Sequence, residues 1–264
     1  MRSLTRNIAT LALLLACLGL AIVTRADRPL VIAAATSLRP VLVEITKEFA
    51  KVYDTKVTQS FSSSGHLVHQ IIHGAPFDLF LAADRRDVET LENVVDLHLQ
   101  KKYVTSGQIV LYKPHRFSTE IPFIRENLLA LLEYGRVNRI VIADPKYAPY
   151  GRTAQEILLH LGIWEEIKGN IITAKNASQA AHFAVAADVF AGFIPLSIAL
   201  EESLVRTGTH IVIPTDFYAD QSLEHIAVLL NPNNRNAVDF FRFLSSDTSL
   251  NLFKRFGYLY NNNE

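Results

Sequence analysis

From residue 30 onward the chain alternates short apolar runs with stretches of helical period, and this alternation restricts its fold more than any other feature. Leu30-Val31-Ile32-Ala33-Ala34 reads as a strand, and Leu38, Val41, Leu42, Ile45, Phe49 and Val52 follow at helical spacing. Pro40 falls in the first turn, where its missing N–H costs little. The theme recurs. Residues 56–61, 78–82, 108–112, 139–143, 189–194, 210–213 and 225–230 read as strands. Leu67 to Ile72, Leu128 to Tyr134, Thr153 to Leu161, Ala237 to Leu244 and Leu250 to Phe256 read as helices. Alternating β and α units predict an α/β fold with mainly parallel sheets covered on both faces. No short repeat, low-complexity tract or Gly/Ser linker interrupts the pattern.

Two strand-to-helix junctions carry hydroxyl residues where a helix begins: Ala33-Ala34-Ala35-Thr36-Ser37-Leu38 and Phe61-Ser62-Ser63-Ser64-Gly65-His66-Leu67. The first N–H groups of a helix have no intrahelical acceptor, and the helix dipole adds partial positive charge there. Two such ends facing one point make an anion site without Lys or Arg. Open α/β sheets bind ligands beyond the C-terminal ends of their strands, where both junctions lie. The loops 144–153 and 174–178 hold equivalent positions.

Charge and cysteine content narrow the class. The 264 residues carry 26 basic and 26 acidic side chains, so no long-range field draws the chain to nucleic acid. Arg2 and Arg6 precede an uncharged apolar run, Leu11 to Val23, and Thr24-Arg25-Ala26 supplies small-residue cleavage chemistry. Residues 1–26 therefore read as a secretory signal peptide, with an uncleaved anchor as the alternative. Cys17 is the one cysteine, in a loose lipoprotein-like box, Leu14-Leu15-Ala16-Cys17; the apolar run beyond it argues against processing there. Cleavage after Ala26 leaves no thiol for disulfides, metal binding or catalysis.

In order along the chain, Ala33 to Leu38, Ser60 to Gly65, residues 70–84, Ala143-Asp144-Pro145 with Pro149-Tyr150-Gly151, Ala191 to Ile194 and Phe253 to Tyr258 resemble the periplasmic molybdate-binding protein family, the solute receptors of molybdate ABC importers. The resemblance covers nearly all of the chain after residue 26. It implies a two-lobed periplasmic-binding-protein fold (type II-like) with strands crossing between lobes. The first lobe would span residues 27–108 plus 226–264 and the second 109–225. It implies oxyanion ligands at Ser37 and Ser64, through hydroxyl and backbone N–H, with Thr36 assisting. The backbone N–H groups of Tyr150 and Ala177 would come from the second lobe. Molybdenum would enter only as the oxyanion, with tungstate as a second ligand, no cofactor and no catalysis. The resemblance further implies a monomer exported to the periplasm and the importer's membrane subunits as partner. Two positions depart from the family. Pro195 stands where some members place a ligand Tyr, and Tyr150 stands where many have a small residue.

The residues fit a proton-free tetrahedral dianion, because the junctions supply donors and no acceptor carboxylate. Sulfate shares that chemistry, so a receptor for another small oxyanion is the alternative. A serine hydrolase is a second, from Ser64-Gly65-His66, although adjacent residues rarely face each other at a helix start and no G-x-S-x-G elbow occurs. Ser62 and Ser63 read as turn residues, Asp78 and Asp84 as strand-end caps. His66, His69 and His73 share one helical face, either solvated or zinc-binding.

Overall fold

A computed structural model describes residues 28–95, 99–117, 127, 130–134, 139–186, 188–219 and 222–260. The leader, Cys17 and the start of the helix expected from Leu128 lie outside the described residues. Among the described residues no helix is long and apolar enough to cross a membrane.

Among the described residues, two five-stranded sheets form the frame. The first has the order β2-β1-β3-β10-β4. Its strands are β1 (Leu30–Ala35), β2 (Val57–Ser62), β3 (Leu79–Ala82), β4 (Gln100–Ser106) and β10 (Glu224–Leu229). The second has the order β7-β6-β8-β5-β9. Its strands are β5 (Ile109–Pro114), β6 (Ile140–Ala143), β7 (Ile171–Ala174), β8 (Ala191–Pro195) and β9 (Gly208–Val212). The architecture is α/β with two lobes. The longer helices are α1 (Arg39–Tyr53), α2 (Ser64–Ile72), α3 (Arg85–Val95), α4 (Pro149–His160), α5 (Ala177–Ala186), α6 (Arg235–Phe243) and α7 (Asp247–Arg255).

In each sheet four strands run one way and one, β10 or β5, is inserted antiparallel to them. β1 pairs in parallel with β2 and β3, and β6 with β7 and β8. β10 is antiparallel to both β3 and β4, and β5 to both β8 and β9. The reason is topological. Strands followed by a helix, such as β1, β6 and β8, run toward the interlobe cleft. A strand that has just crossed from the other lobe starts at the cleft and must run away from it, as β5 and β10 do.

The first crossing is tight. β4 passes into β5 through Gly107 and Gln108 alone, and the C-terminal segment straps this crossing. Ser106 and Leu259 exchange backbone hydrogen bonds of 2.8 Å each way, and Gln108 Nε2 donates to the Gly257 carbonyl at 2.8 Å. Gly107 has no room for a side chain: a Cβ there would lie 2.1 Å from Tyr150 Oη and 2.8 Å from His225 Cε1.

Apolar periodicity becomes packing as expected for most of α1. Val41, Leu42, Ile45 and Phe49 are buried against β1, α6 and α7, whereas Val52 is exposed. Phe49 anchors this face, with ring centroids 4.4 Å from Tyr53 and 5.0 Å from Phe240. The second lobe has its own core around Val110, Val141, Ile142, Phe190 and Phe193. Separate cores joined by two chain crossings let each lobe keep its packing while the cleft between them opens or closes.

Candidate functional site

Thr36, Ser37, Ser64, Tyr150 and Ala177 surround one cavity between the lobes, with Ala35, Ser63, Ala83, Ala148 and Pro149 completing its wall. All five are buried. The volume open to the centre of a water molecule is about 10 Å³, the scale that a single water requires. No Asp, Glu, Lys, Arg or His lines it.

The lining comes from chain ends rather than from long polar side chains. Thr36 and Ser37 form a short 3₁₀ turn directly after β1, Ser64 opens α2, Tyr150 is the second residue of α4, and Ala177 opens α5. The N-caps of the 3₁₀ turn, α2 and α4 make no side-chain cap hydrogen bond. α6 and α7, remote from the cavity, are capped by Asn234 and Ser246. α5 is partly capped, since Asn176 Oδ1 accepts from the Gln179 N–H at 3.0 Å. A buried helix start with no cap leaves donors that require an external acceptor.

Second contacts fix the hydroxyls. Ser64 Oγ accepts the Ala83 N–H at 3.0 Å, which leaves the Ser64 hydrogen to donate elsewhere. Ser37 Oγ lies 3.2 Å from His225 Nε2. His225 is fully buried, and desolvation pushes its pKa down to about 3, so the ring is neutral at neutral pH. With the hydrogen on Nε2, His225 donates to Ser37 Oγ and frees the Ser37 hydrogen for the cavity. The Ser37 carbonyl accepts from Ser197 Oγ at 2.8 Å and Tyr258 Oη at 2.7 Å. The Ser37 backbone is thus held by both the second lobe and the C-terminal strap.

Ser63, expected as a turn residue, belongs to the cavity wall. Its Oγ is 2.8 Å from His66 Nδ1, so His66 pairs with Ser63 while Ser64 pairs with Ala83. His66 also stacks on Tyr147 of the second lobe at 4.3 Å, and His69 stacks on His73 at 4.2 Å. Asp78 ties β1 to the turn after β10, accepting from the Val31 N–H at 2.9 Å and Asn231 Nδ2 at 2.8 Å. Pro195 pairs with Ile109 at the end of β8 and is not part of the wall. Spacing gave no sign of His225, Tyr258 or Ser197, because each reaches Ser37 from a distant part of the chain.

An ionic clasp crosses the mouth of the cleft. Arg152 on α4 reaches Asp84 Oδ2 at 3.0 Å and Asp87 Oδ2 at 2.6 Å. Arg86 joins Asp84 at 2.9 Å and Glu156 at 3.1 Å. Asp84 also caps α3 by accepting the Arg86 N–H at 2.8 Å. Burial pushes the Asp87 pKa up to about 6 even though Arg152 pulls it down. The Gly65 N–H donates across the cleft to the Tyr147 carbonyl at 3.0 Å. These contacts describe a closed arrangement of the lobes.

A family model described as bacterial extracellular solute-binding protein matches residues 30–259. The chain belongs to that family. It is 29% identical over 247 residues to the molybdate-binding protein ModA of Rhodobacter capsulatus, covering 92% of each chain. It is 27% identical to YvgL of Bacillus subtilis, described as a putative ABC transporter substrate-binding lipoprotein, over 87% of this chain and 85% of that one. The solved structure of the Azotobacter vinelandii periplasmic molybdate-binding protein superposes with a TM-score of 0.77 at 26% identity, covering 88% of this chain and 100% of that one.

Two outcomes follow from the geometry. Arg152→Ala removes the cross-cleft partner of Asp84 and Asp87 while Arg86 still pairs with Asp84, a loss of roughly 1.5–3 kcal/mol for the closed arrangement. Small-angle scattering of the variant should show a more open average than the wild type, and an unchanged profile would contradict the clasp. Unfolding releases His225 to its ordinary value near 6.5, so the unfolded chain binds a proton that the folded chain refuses until about pH 3. Stability should therefore fall as pH drops through that window, by up to ~1.4 kcal/mol per pH unit. Asp87 acts in the opposite sense, since its raised pKa lets the folded form take up a proton first. Denaturant titrations of His225→Gln and wild type at a series of pH values isolate the histidine, and the variant should show the shallower acid-side loss.

Proposed function

We propose that this protein is the molybdate receptor of an ABC importer, with tungstate as a second ligand. The observation that carries this reading is the cavity wall: hydroxyls and open helix starts from both lobes, with no carboxylate and no cationic side chain. Molybdate at neutral pH is a tetrahedral dianion without a proton, so it needs donors on every side and no acceptor. Monohydrogen phosphate would leave its own proton unpaired in such a wall, a cost of about 1–3 kcal/mol.

In this reading Ser37 and Ser64 each donate through hydroxyl and backbone N–H. Thr36 assists from the same turn. The backbone N–H groups of Tyr150 and Ala177 donate from the second lobe. Hydrogen bonds to a charged group contribute roughly 1.5–3 kcal/mol each, and six or seven give about 10–20 kcal/mol gross. Ordering and lobe closure subtract several, which leaves a dissociation constant in the nanomolar to micromolar range. Only the closed arrangement lets both lobes donate, so ligand favours closure by its differential affinity. The closed form then engages the membrane subunits. The receptor works as a monomer, needs no cofactor and catalyses no reaction. Residues 1–26 direct its export to the periplasm and are removed. An uncleaved leader or a lipid on Cys17, as the description of the Bacillus relative implies for that protein, would tether it instead.

Sulfate is the second reading, since it is equally proton-free and differs mainly in size. Calorimetry with molybdate, tungstate, sulfate and phosphate decides between them. Molybdate and tungstate should bind at least about a hundredfold more tightly than sulfate, a difference of roughly 2.7 kcal/mol. Sulfate binding as tight as molybdate would overturn the assignment. Ser37→Ala combined with Ser64→Ala should weaken molybdate binding by about 3–6 kcal/mol with the fold retained by circular dichroism. Unchanged affinity would reject the site.

A further inference from the structure

Tyr150, a residue of the cavity wall, carries a buried hydroxyl that lies beside the interlobe crossing. Tyr150 is 2% exposed, and among the described residues its Oη has no hydrogen-bond partner. The phenol lies against Gly107 of the interlobe crossing and beside His225. The Ser37 hydroxyl is close enough to bias its ionisation, though no hydrogen bond forms between them. His225 Nδ1, behind Ser37, is likewise without a hydrogen-bond partner among the described residues. The Tyr150 ring fills a buried space that Phe would fill equally well, and an unpaired buried hydroxyl carries a desolvation cost. Packing alone therefore gives no reason for the oxygen. Burial raises the phenol's pKa well above its ordinary value, so it keeps its hydrogen throughout the neutral range. It keeps an O–H to donate, beside a wall of hydroxyls and helix starts with no carboxylate.

We propose that the Tyr150 hydroxyl is a direct ligand donor, giving its hydrogen to an oxygen of the bound oxyanion next to the Ser37 hydroxyl. This inference rests on the oxyanion-receptor reading and adds to it a side-chain contact from the residue whose backbone N–H already faces the cavity. Tyr150 then binds through both main chain and side chain. Gly107 is required because any Cβ would occupy the position of the phenol oxygen. With its hydrogen on Nε2, neutral His225 supports the arrangement by donating to Ser37 Oγ, which leaves the Ser37 and Tyr150 hydrogens to the ligand.

The test compares wild type, Tyr150→Phe and Ser64→Ala by molybdate calorimetry. Melting of each ligand-free protein is measured alongside, as is the near-ultraviolet tyrosine difference band on adding molybdate. Tyr150→Phe should bind molybdate about tenfold more weakly or worse. It should melt, ligand-free, at or above the wild-type temperature and lose the molybdate-induced tyrosine band. Affinity within twofold of wild type would overturn the proposal, as would a ligand-free variant that melts well below wild type, which marks the hydroxyl as structural. If wild type binds and Ser64→Ala does not, while Tyr150→Phe binds normally, the receptor reading stands and this inference falls. If wild type binds none of the four oxyanions, both fall.

Discussion

Open helix starts converging on one buried point are the constraint on which the rest of this structure depends. Each start leaves backbone N–H groups without an intrahelical acceptor, and each sits at the end of a strand that aims it into the cleft. Asn234 and Ser246 cap α6 and α7, whereas the 3₁₀ turn, α2 and α4 at the cavity have no side-chain cap. A group of fixed dipoles with no opposing carboxylate is a low-reorganisation environment for negative charge. Desolvation keeps His225 neutral, so its imidazole holds Ser37 without adding charge beside the cavity.

Charge is present but displaced to the mouth. Arg152, Arg86, Asp84, Asp87 and Glu156 compensate one another across the lobes rather than facing the cavity. This separation divides the work. The floor and walls recognise the ligand by donor geometry. The clasp adds a ligand-independent contribution to closure, moderated by the desolvation of Asp87. Ser197, reaching from the second lobe to the Ser37 carbonyl, couples the two, because closure and the orientation of Ser37 share a hydrogen bond.

Much of the frame was legible because local chemistry decides it. β1, β3, β5 and β6 are apolar runs with turn residues around them, and the five predicted site residues lie at junctions recognisable from hydroxyls and helical onset. β4 escaped notice because Gln100, Lys101 and Lys102 give it a polar start on the edge of its sheet. Strand direction was not legible for β5 and β10, since it depends on where the chain crosses between lobes and not on side-chain pattern. The support around Ser37 was equally hidden: His225 lies 188 residues away in sequence, Ser197 160 and Tyr258 221. The role of Ser63 was misread because a turn serine and a cavity serine differ only in what faces them. Tyr150 was visible as an unusual residue, but the direction of its ring required the structure.

The central claim is that donors from both lobes, without a charged side chain, hold a tetrahedral oxyanion. A crystal grown with molybdate, with the metal located by its anomalous scattering, tests this most directly. The account predicts one molybdenum in the cavity, its oxygens within hydrogen-bond distance of the Ser37 and Ser64 hydroxyls and the Tyr150 and Ala177 N–H groups. Molybdenum bound at the Arg152–Asp84 clasp or outside the cleft, with the Ser37 and Ser64 hydroxyls turned away from it, would contradict it.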